Sequence, residues 1–213
     1  MYPLRRHSLA HADPAAWRCL LESQLYVHAE PLLWEWANRG YPLIVRRAND
    51  RDAGAGIPLG LPLPPAHGKK RIAFVMAAES IREVHLPPLL AEAGQSAPLC
   101  WRDTIRRLVS VDPEVRVYGS LAWQHVTGLT YLNEASDLDL LWRHRYPREL
   151  ETLLHAVHVI EREAPMRIDG ELVASSGAAV HWREIFLGTR EVLAKRMEGV
   201  RLVARADFLH RAP

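Results

Sequence analysis

Cysteine is scarce in this chain, with Cys19 and Cys100 the two in 213 residues. Two are too few for a disulfide framework, so a reducing cytoplasm is expected, with both thiols packed as small core hydrophobes. Long apolar runs are missing as well. None approaches the roughly 18 residues of a membrane span. The opening "MYPLRRHSLAHADPAAW" puts no apolar core behind its basic residues, so neither membrane nor signal segment is expected. Charge of one sign is not in excess: the formal net charge is +2, which announces no nucleic-acid partner. Lysine is rare, with Lys69, Lys70 and Lys195 the three among 27 basic residues. The rest are arginines, which suit bidentate phosphate recognition or reflect compositional bias. What is present, 48% hydrophobic and 24% charged residues, is enough for a core and for one large or two small domains.

No internal repeat is evident. "PAAWRCLLESQLYV" reads as a helix with Trp17, Leu20, Leu21, Gln24 and Leu25 near one face. "YPLIVRR" and "IAFVMA" read as strands, and the Gly/Pro-dense "AGAGIPLGLPLPPAHGKKR" between them as a loop. Pro87-Pro88 suggests a boundary, giving a smaller N-terminal α/β domain over 1–88 and a second domain over 89–213. In the second, "PLCWRDTIRRLVS" spaces Trp101, Ile105, Leu108 and Val109 as a helix. "YPRELETLLHAVHVIERE" opens with Pro147 and lines up Leu150, Leu153, Leu154, Val157 and Ile160. "VRVYG", "MRIDGELVA" and "VRLVAR" are strand candidates. "TREVLAKRMEG" reads as a helix capped by Thr189 and stopped by Gly199. Strands alternating with helices give a mixed α/β (α+β) sheet domain.

Asp137 and Asp139 interrupt an apolar run in "SDLDLLW". On a strand, residues two apart share a face. Two such carboxylates repel unless a cation lies between them, and Mg²⁺ takes one or two carboxylates together with substrate phosphates. Upstream, Gly119-Ser120 closes "VRVYG" and opens a helix at "LAWQH". Amides at a helix start, a glycine allowing close approach and a serine hydroxyl together make a phosphate cradle. Asp-x-Asp alone is equally a solvated strand end; the combination favours a metal-phosphate site.

Gly-Ser, a spacer and Asp-x-Asp resemble the nucleotidyltransferase superfamily that includes DNA polymerase beta. More narrowly, Gly119-Ser120, Trp123-Gln124, Thr127-Gly128-Leu129, Tyr131-Leu132 and Ser136 to Leu141 are similar to the phosphoribosyl-dephospho-CoA transferases of bacterial malonate decarboxylase, also called its holo-acyl-carrier-protein synthases. "GLPLPP" and "GKKRIAF" extend the likeness into the N-terminal half. The resemblance implies a nucleotidyltransferase-type sheet. It also implies transfer of 2′-(5″-triphosphoribosyl)-3′-dephospho-CoA to a serine of the acyl-carrier subunit of malonate decarboxylase, with loss of pyrophosphate. In that frame Asp137 and Asp139 hold Mg²⁺ (or Mn²⁺), and Gly119 and Ser120 grip the triphosphate. Asp169 completes the carboxylate set, as a catalytic residue and a third metal ligand, with Glu171 second and Glu184 a distant candidate. Asp169-Gly170 is otherwise a hairpin signal.

Arg46, Arg47, Lys69, Lys70 and Arg71 flank the Gly/Pro loop as a solvated rim or as a patch for substrate phosphates or an acidic carrier, Arg46 and Lys70 being the substrate-binding candidates. Gln124 is a further substrate-binding candidate. Trp123 either stacks on the bound group or belongs to the core. His125 is a phosphate contact or a packed ring. Trp34 and Trp36 are core or carrier face. His155 with His158, and His7 with His11, lack a third ligand at zinc spacing. The remaining readings are another nucleotidyltransferase, with a citrate lyase carrier or a small molecule as acceptor, and a non-catalytic carrier-binding module.

Overall fold

The computed structural model describes residues 4–23, 30–49, 52, 56–143 and 147–210. Gln24 and Leu25, expected on the first helix, lie outside them. The chain divides into two compact units, Met1–Leu86 and Pro87–Pro213. Each has mixed α/β content, as expected.

The first unit comprises β1 (Leu9–Ala12), α1 (Pro14–Glu22), α2 (Pro31–Arg39), β2 (Leu43–Val45), β3 (Ile57–Pro62), β4 (Arg71–Met76) and β5 (Ile81–His85). The strands pair antiparallel in the order β4-β3-β2-β1-β5. Asp13 caps α1 by accepting from the amides of Ala15 and Ala16, ahead of a proline at the first helical position. The ring of Trp17 meets that of Phe74 edge-on at 4.7 Å. Trp36 is fully buried with its indole N–H on Pro42 O at 2.9 Å, so it belongs to the core; Trp34 is half-buried.

β3 overturns the loop expected through "IPLGLP". Ile57, Leu59 and Leu61 are buried, and the strand is central, between β2 and β4. Its prolines sit at or next to its ends. Pro58 still accepts from Arg46 N at 3.0 Å where the β2 pairing ends, so it forgoes a donor and keeps its acceptor. Cys19 and Cys100 are both exposed, not core residues. α1 turns Trp17 and Leu21 inward in place of Cys19, and Trp101 takes the interior beside Cys100.

The second unit comprises α3 (Leu90–Ala93), α4 (Arg102–Val111), β6 (Arg116–Val117), α5 (Gly119–Thr127), β7 (Leu138–Arg143), α6 (Pro147–Glu163), β8 (Ile168–Val173), β9 (Ala179–His181), α7 (Trp182–Phe186), β10 (Glu191–Lys195), β11 (Val200–Ala204) and α8 (Arg205–His210). The sheet order is β11-β10-β9-β8-β7-β6. β7 and β8 run parallel, joined through α6, and the other pairs are antiparallel. Strand alternation sends Leu138, Leu140, Trp142, Ile168 and Leu172 into one core with Ile105 and Leu108 of α4 and the predicted leucine stripe of α6. The opposite face receives Asp139, Asp169, Glu171, His181 and Lys195. No helix among the described residues is long and apolar enough to cross a membrane.

The helix expected at 189–199 is instead β10 and the turn after it. Buried Val192 and Ala194 alternate with exposed Glu191 and Leu193, a period of two set by pairing with β9 and β11. Gly199 accepts from Arg196 N in the β10–β11 turn and stops no helix.

In the first unit, Asp52 accepts from both Arg46 Nη atoms at 2.5 and 2.7 Å and from Asn49 N, and its carboxyl is held at about 2, chiefly by Arg46. Because the folded value lies below the unfolded 3.8, the pair stabilises above that pH and its contribution fades as pH falls toward 2. Asp52→Asn should therefore cost about 1–3 kcal/mol at neutral pH. It should also flatten the loss of melting temperature between pH 4 and 2, read by scanning calorimetry.

Candidate functional site

The polar face of the second sheet is built outward from one register. Asp139 of β7 is the Cα partner of Asp169 of β8, so two carboxylates stand side by side across a parallel pair. Asp137 precedes β7 by one residue and, like Asp139, is half-buried, while Leu138 and Leu140 are buried.

Gly119 brings α5 onto this pair. It adopts φ +65°, and a Cβ on it would lie 1.9 Å from Asp139 Oδ2, so glycine alone permits the approach. Tyr118 N donates to Asp139 O at 3.0 Å, tying the helix start to β7. The N-cap residue of α5, Tyr118, makes no side-chain capping bond. The first-turn amides of the helix, with Ser120 half-buried among them, are a ready anion-binding group beside the carboxylates.

Asp169-Gly170 is no hairpin. Gly170 lies inside β8 because Trp142 and the Leu140 carbonyl fill the space its Cβ would need, at 2.5 and 2.6 Å. Asp169 Oδ1 accepts from Gly170 N at 2.8 Å and from His181 Nε2 at 2.5 Å. Hydrogen bonding from His181 chiefly, with help from the Gly170 amide and the Arg167 charge, holds this carboxyl at about 2 against the opposing effect of burial. His181 went unnoticed in the sequence. It sits twelve residues beyond Asp169 on an antiparallel neighbour, opposite Glu171, and no spacing rule marks it.

Glu171, the second candidate for the third carboxylate, is almost fully buried and takes Lys195 Nζ at 2.8 Å. Glu184 lies on α7 and accepts from Leu193 N. Gln124 is engaged within the chain: its Nε2 donates to Ser96 O at 2.7 Å and its Oε1 accepts from Tyr131 N and Leu132 N. It pins the segment leading to Asp137. Trp123 is buried and stacked on Tyr131 at 6.2 Å, a core position, and His125 faces Ser96 Oγ.

Arg46 and Lys70 belong to the first unit. The Arg46 guanidinium is engaged by Asp52 and by the carbonyls of Leu59, Arg47 and Phe74. Lys70 is exposed. His158 stacks on Phe186 at 4.6 Å, and His11 bonds Gly40 O. Among the described residues no three His, Cys, Asp or Glu side chains converge as a metal cage. The donors on offer near α5 are hard carboxylates from one chain segment. Such a set suits a cation that completes its shell with water and phosphate oxygens, as Mg²⁺ does.

Two family matches cover nearly the whole chain. Residues 89–206 match the family described as Phosphoribosyl-dephospho-CoA transferase MdcG C-terminal domain, and residues 5–87 its N-terminal domain. A phosphoribosyl-dephospho-CoA transferase of Bradyrhizobium diazoefficiens is 42% identical over 97% of this chain and 93% of its own. One from Xanthomonas campestris pv. campestris is 36% identical over 83% and 85%, and one from Pseudomonas putida 34% over 82% and 84%. No solved structure matches.

The Gly119 contact can be measured directly. Gly119→Ala should lose about 1–2 kcal/mol to left-handed strain and more to the clash with Asp139. Gly177→Ala, at φ +80° with open space around it, should show the strain alone. Denaturant melts of the two variants give the difference.

Proposed function

The chain belongs to the phosphoribosyl-dephospho-CoA transferase family, and on that premise we propose its full reaction. It moves the group of 2′-(5″-triphosphoribosyl)-3′-dephospho-CoA to a serine hydroxyl on the acyl-carrier subunit of malonate decarboxylase and releases pyrophosphate. The observation that carries the reading is the meeting of Gly119 with Asp139, whose register partner is Asp169. It puts a phosphate-binding helix start against paired carboxylates, the arrangement a nucleotidyltransferase requires.

In this reading the first-turn amides of α5 and the Ser120 hydroxyl hold the triphosphate and point its innermost phosphorus at the carboxylate face. The serine oxygen of the carrier attacks that phosphorus. The new P–O bond forms as the bond to the pyrophosphate oxygen breaks. Asp169, ionised at neutral pH, accepts the hydroxyl proton. Asp137 and Asp139 would hold Mg²⁺, which supplies neutralisation of the charge on the phosphate oxygens when bound. Gln124 keeps the segment before Asp137 in place through its three backbone bonds.

Incubation of the protein with apo-carrier, the triphosphoribosyl precursor and Mg²⁺ should add the mass of the prosthetic group to the carrier. Chelator should stop the reaction and excess Mg²⁺ restore it. Asp139→Asn should lower the rate by about 10³-fold while circular dichroism stays native. A citrate lyase carrier modified faster than the malonate decarboxylase carrier would reassign the acceptor. Transfer at the native rate by Asp139→Asn would remove the carboxylates from the mechanism.

A further inference from the structure

We propose that His181 is a positioning residue for this transfer. It fixes the Asp169 carboxylate by one oxygen, Oδ1, and leaves the other, Oδ2, for the acceptor hydroxyl. The proposal rests on the functional reading above and adds to it a residue outside the Gly-Ser and Asp-x-Asp segment.

Rotation of an aspartate carboxylate about its last torsion is broad and nearly two-fold. An unheld Asp169 would sample many orientations. Here Oδ1 accepts both the His181 Nε2 proton at 2.5 Å and the Gly170 amide at 2.8 Å. Two donors on one oxygen use its two lone-pair directions and stop the rotation. Oδ2 is then the oxygen left to meet the acceptor hydroxyl. Gly170 N alone could not do this, since it lies on the neighbouring residue and moves with the same strand. His181 reaches in from β9 and supplies an independent point.

The imidazole is itself held from behind. Its Nδ1 accepts from Arg183 N at 3.1 Å, which assigns the ring proton to Nε2, the nitrogen facing Asp169. Arg183 is anchored in turn. Its guanidinium lies 4.6 Å over the Trp182 ring, donates to Ile168 O at 2.7 Å and binds Glu161 of α6. Trp182 Nε1 reaches the same Ile168 carbonyl at 3.3 Å. Ile168 is the residue before Asp169. One cluster from α6, β8, β9 and α7 thus fixes both the backbone that carries the carboxylate and the ring that aims it.

The test compares His181→Leu, which lacks the donor, with His181→Gln, whose amide N–H reaches about as far as Nε2. In the carrier assay, His181→Leu should lower kcat by about 10²-fold, the scale of an ångström of misplacement, with KM for the triphosphoribosyl precursor within twofold of native. His181→Gln should recover at least a tenth of the native kcat. Calorimetric binding of the precursor to His181→Leu, without carrier, should match the wild type. If His181→Leu does not fold, His181→Asn, too short to reach Oδ1, takes its place with the same expectations. A kcat within twofold of native without the donor, or an equal loss in the Gln variant, overturns the proposal. Should the wild type transfer nothing, the functional reading fails by itself. A crystal structure of the donor-less variant then decides the positioning claim, and an unmoved Asp169 side chain sinks it.

Discussion

Carboxylates set side by side on one sheet face call for hydrogen-bond donors or positive charge beside them, and the polar face of the C-terminal unit provides both. The register of β7 against β8 forces Asp139 and Asp169 together. Around them stand the start of α5, the His181 N–H and the Arg167 charge, with Lys195 on the neighbouring Glu171. Hydrogen bonds from His181 and the Gly170 amide, with the Arg167 charge, hold the Asp169 carboxyl at about 2.

Close approach is the second theme. The face works because bulk is removed at two glycines. Gly119 allows α5 to rest on Asp139, and Gly170 makes room for Trp142 on the core side of β8. The apolar side repeats the logic with full packing. Leu138, Leu140 and Trp142 alternate with the acids of the same segment, so the strand that holds the charges is also among the most deeply buried elements of the unit.

Several polar residues that look available in a sequence are occupied in the fold. Arg46 closes on Asp52 and three carbonyls, Gln124 brackets a loop, and Glu171 is buried against Lys195. A buried polar group must find partners, and the nearest partners are usually the chain's own backbone. Residue type and spacing do not reveal these internal partners. They also miss His181, which the pairing of β9 with β8 brings to Asp169.

Legible from local patterns alone were the stripe of α6, a helix opening just after Gly119-Ser120, the strand around Asp139 and the family likeness in residues 117–143. These rest on periods of 3.6 and 2 and on short-range chemistry, which the chain carries wherever it folds. Tertiary structure decided the rest. β3 became a strand although rich in proline and glycine because β2 and β4 flank it, and β10 became a strand although its residues suit a helix because β9 and β11 offer a ladder. Which of Asp169 and Glu171 stands beside Asp139, and that a histidine aims the former, followed from strand register. Register joins residues far apart in the chain, and their neighbourhood is a property of the folded sheet that no local window contains.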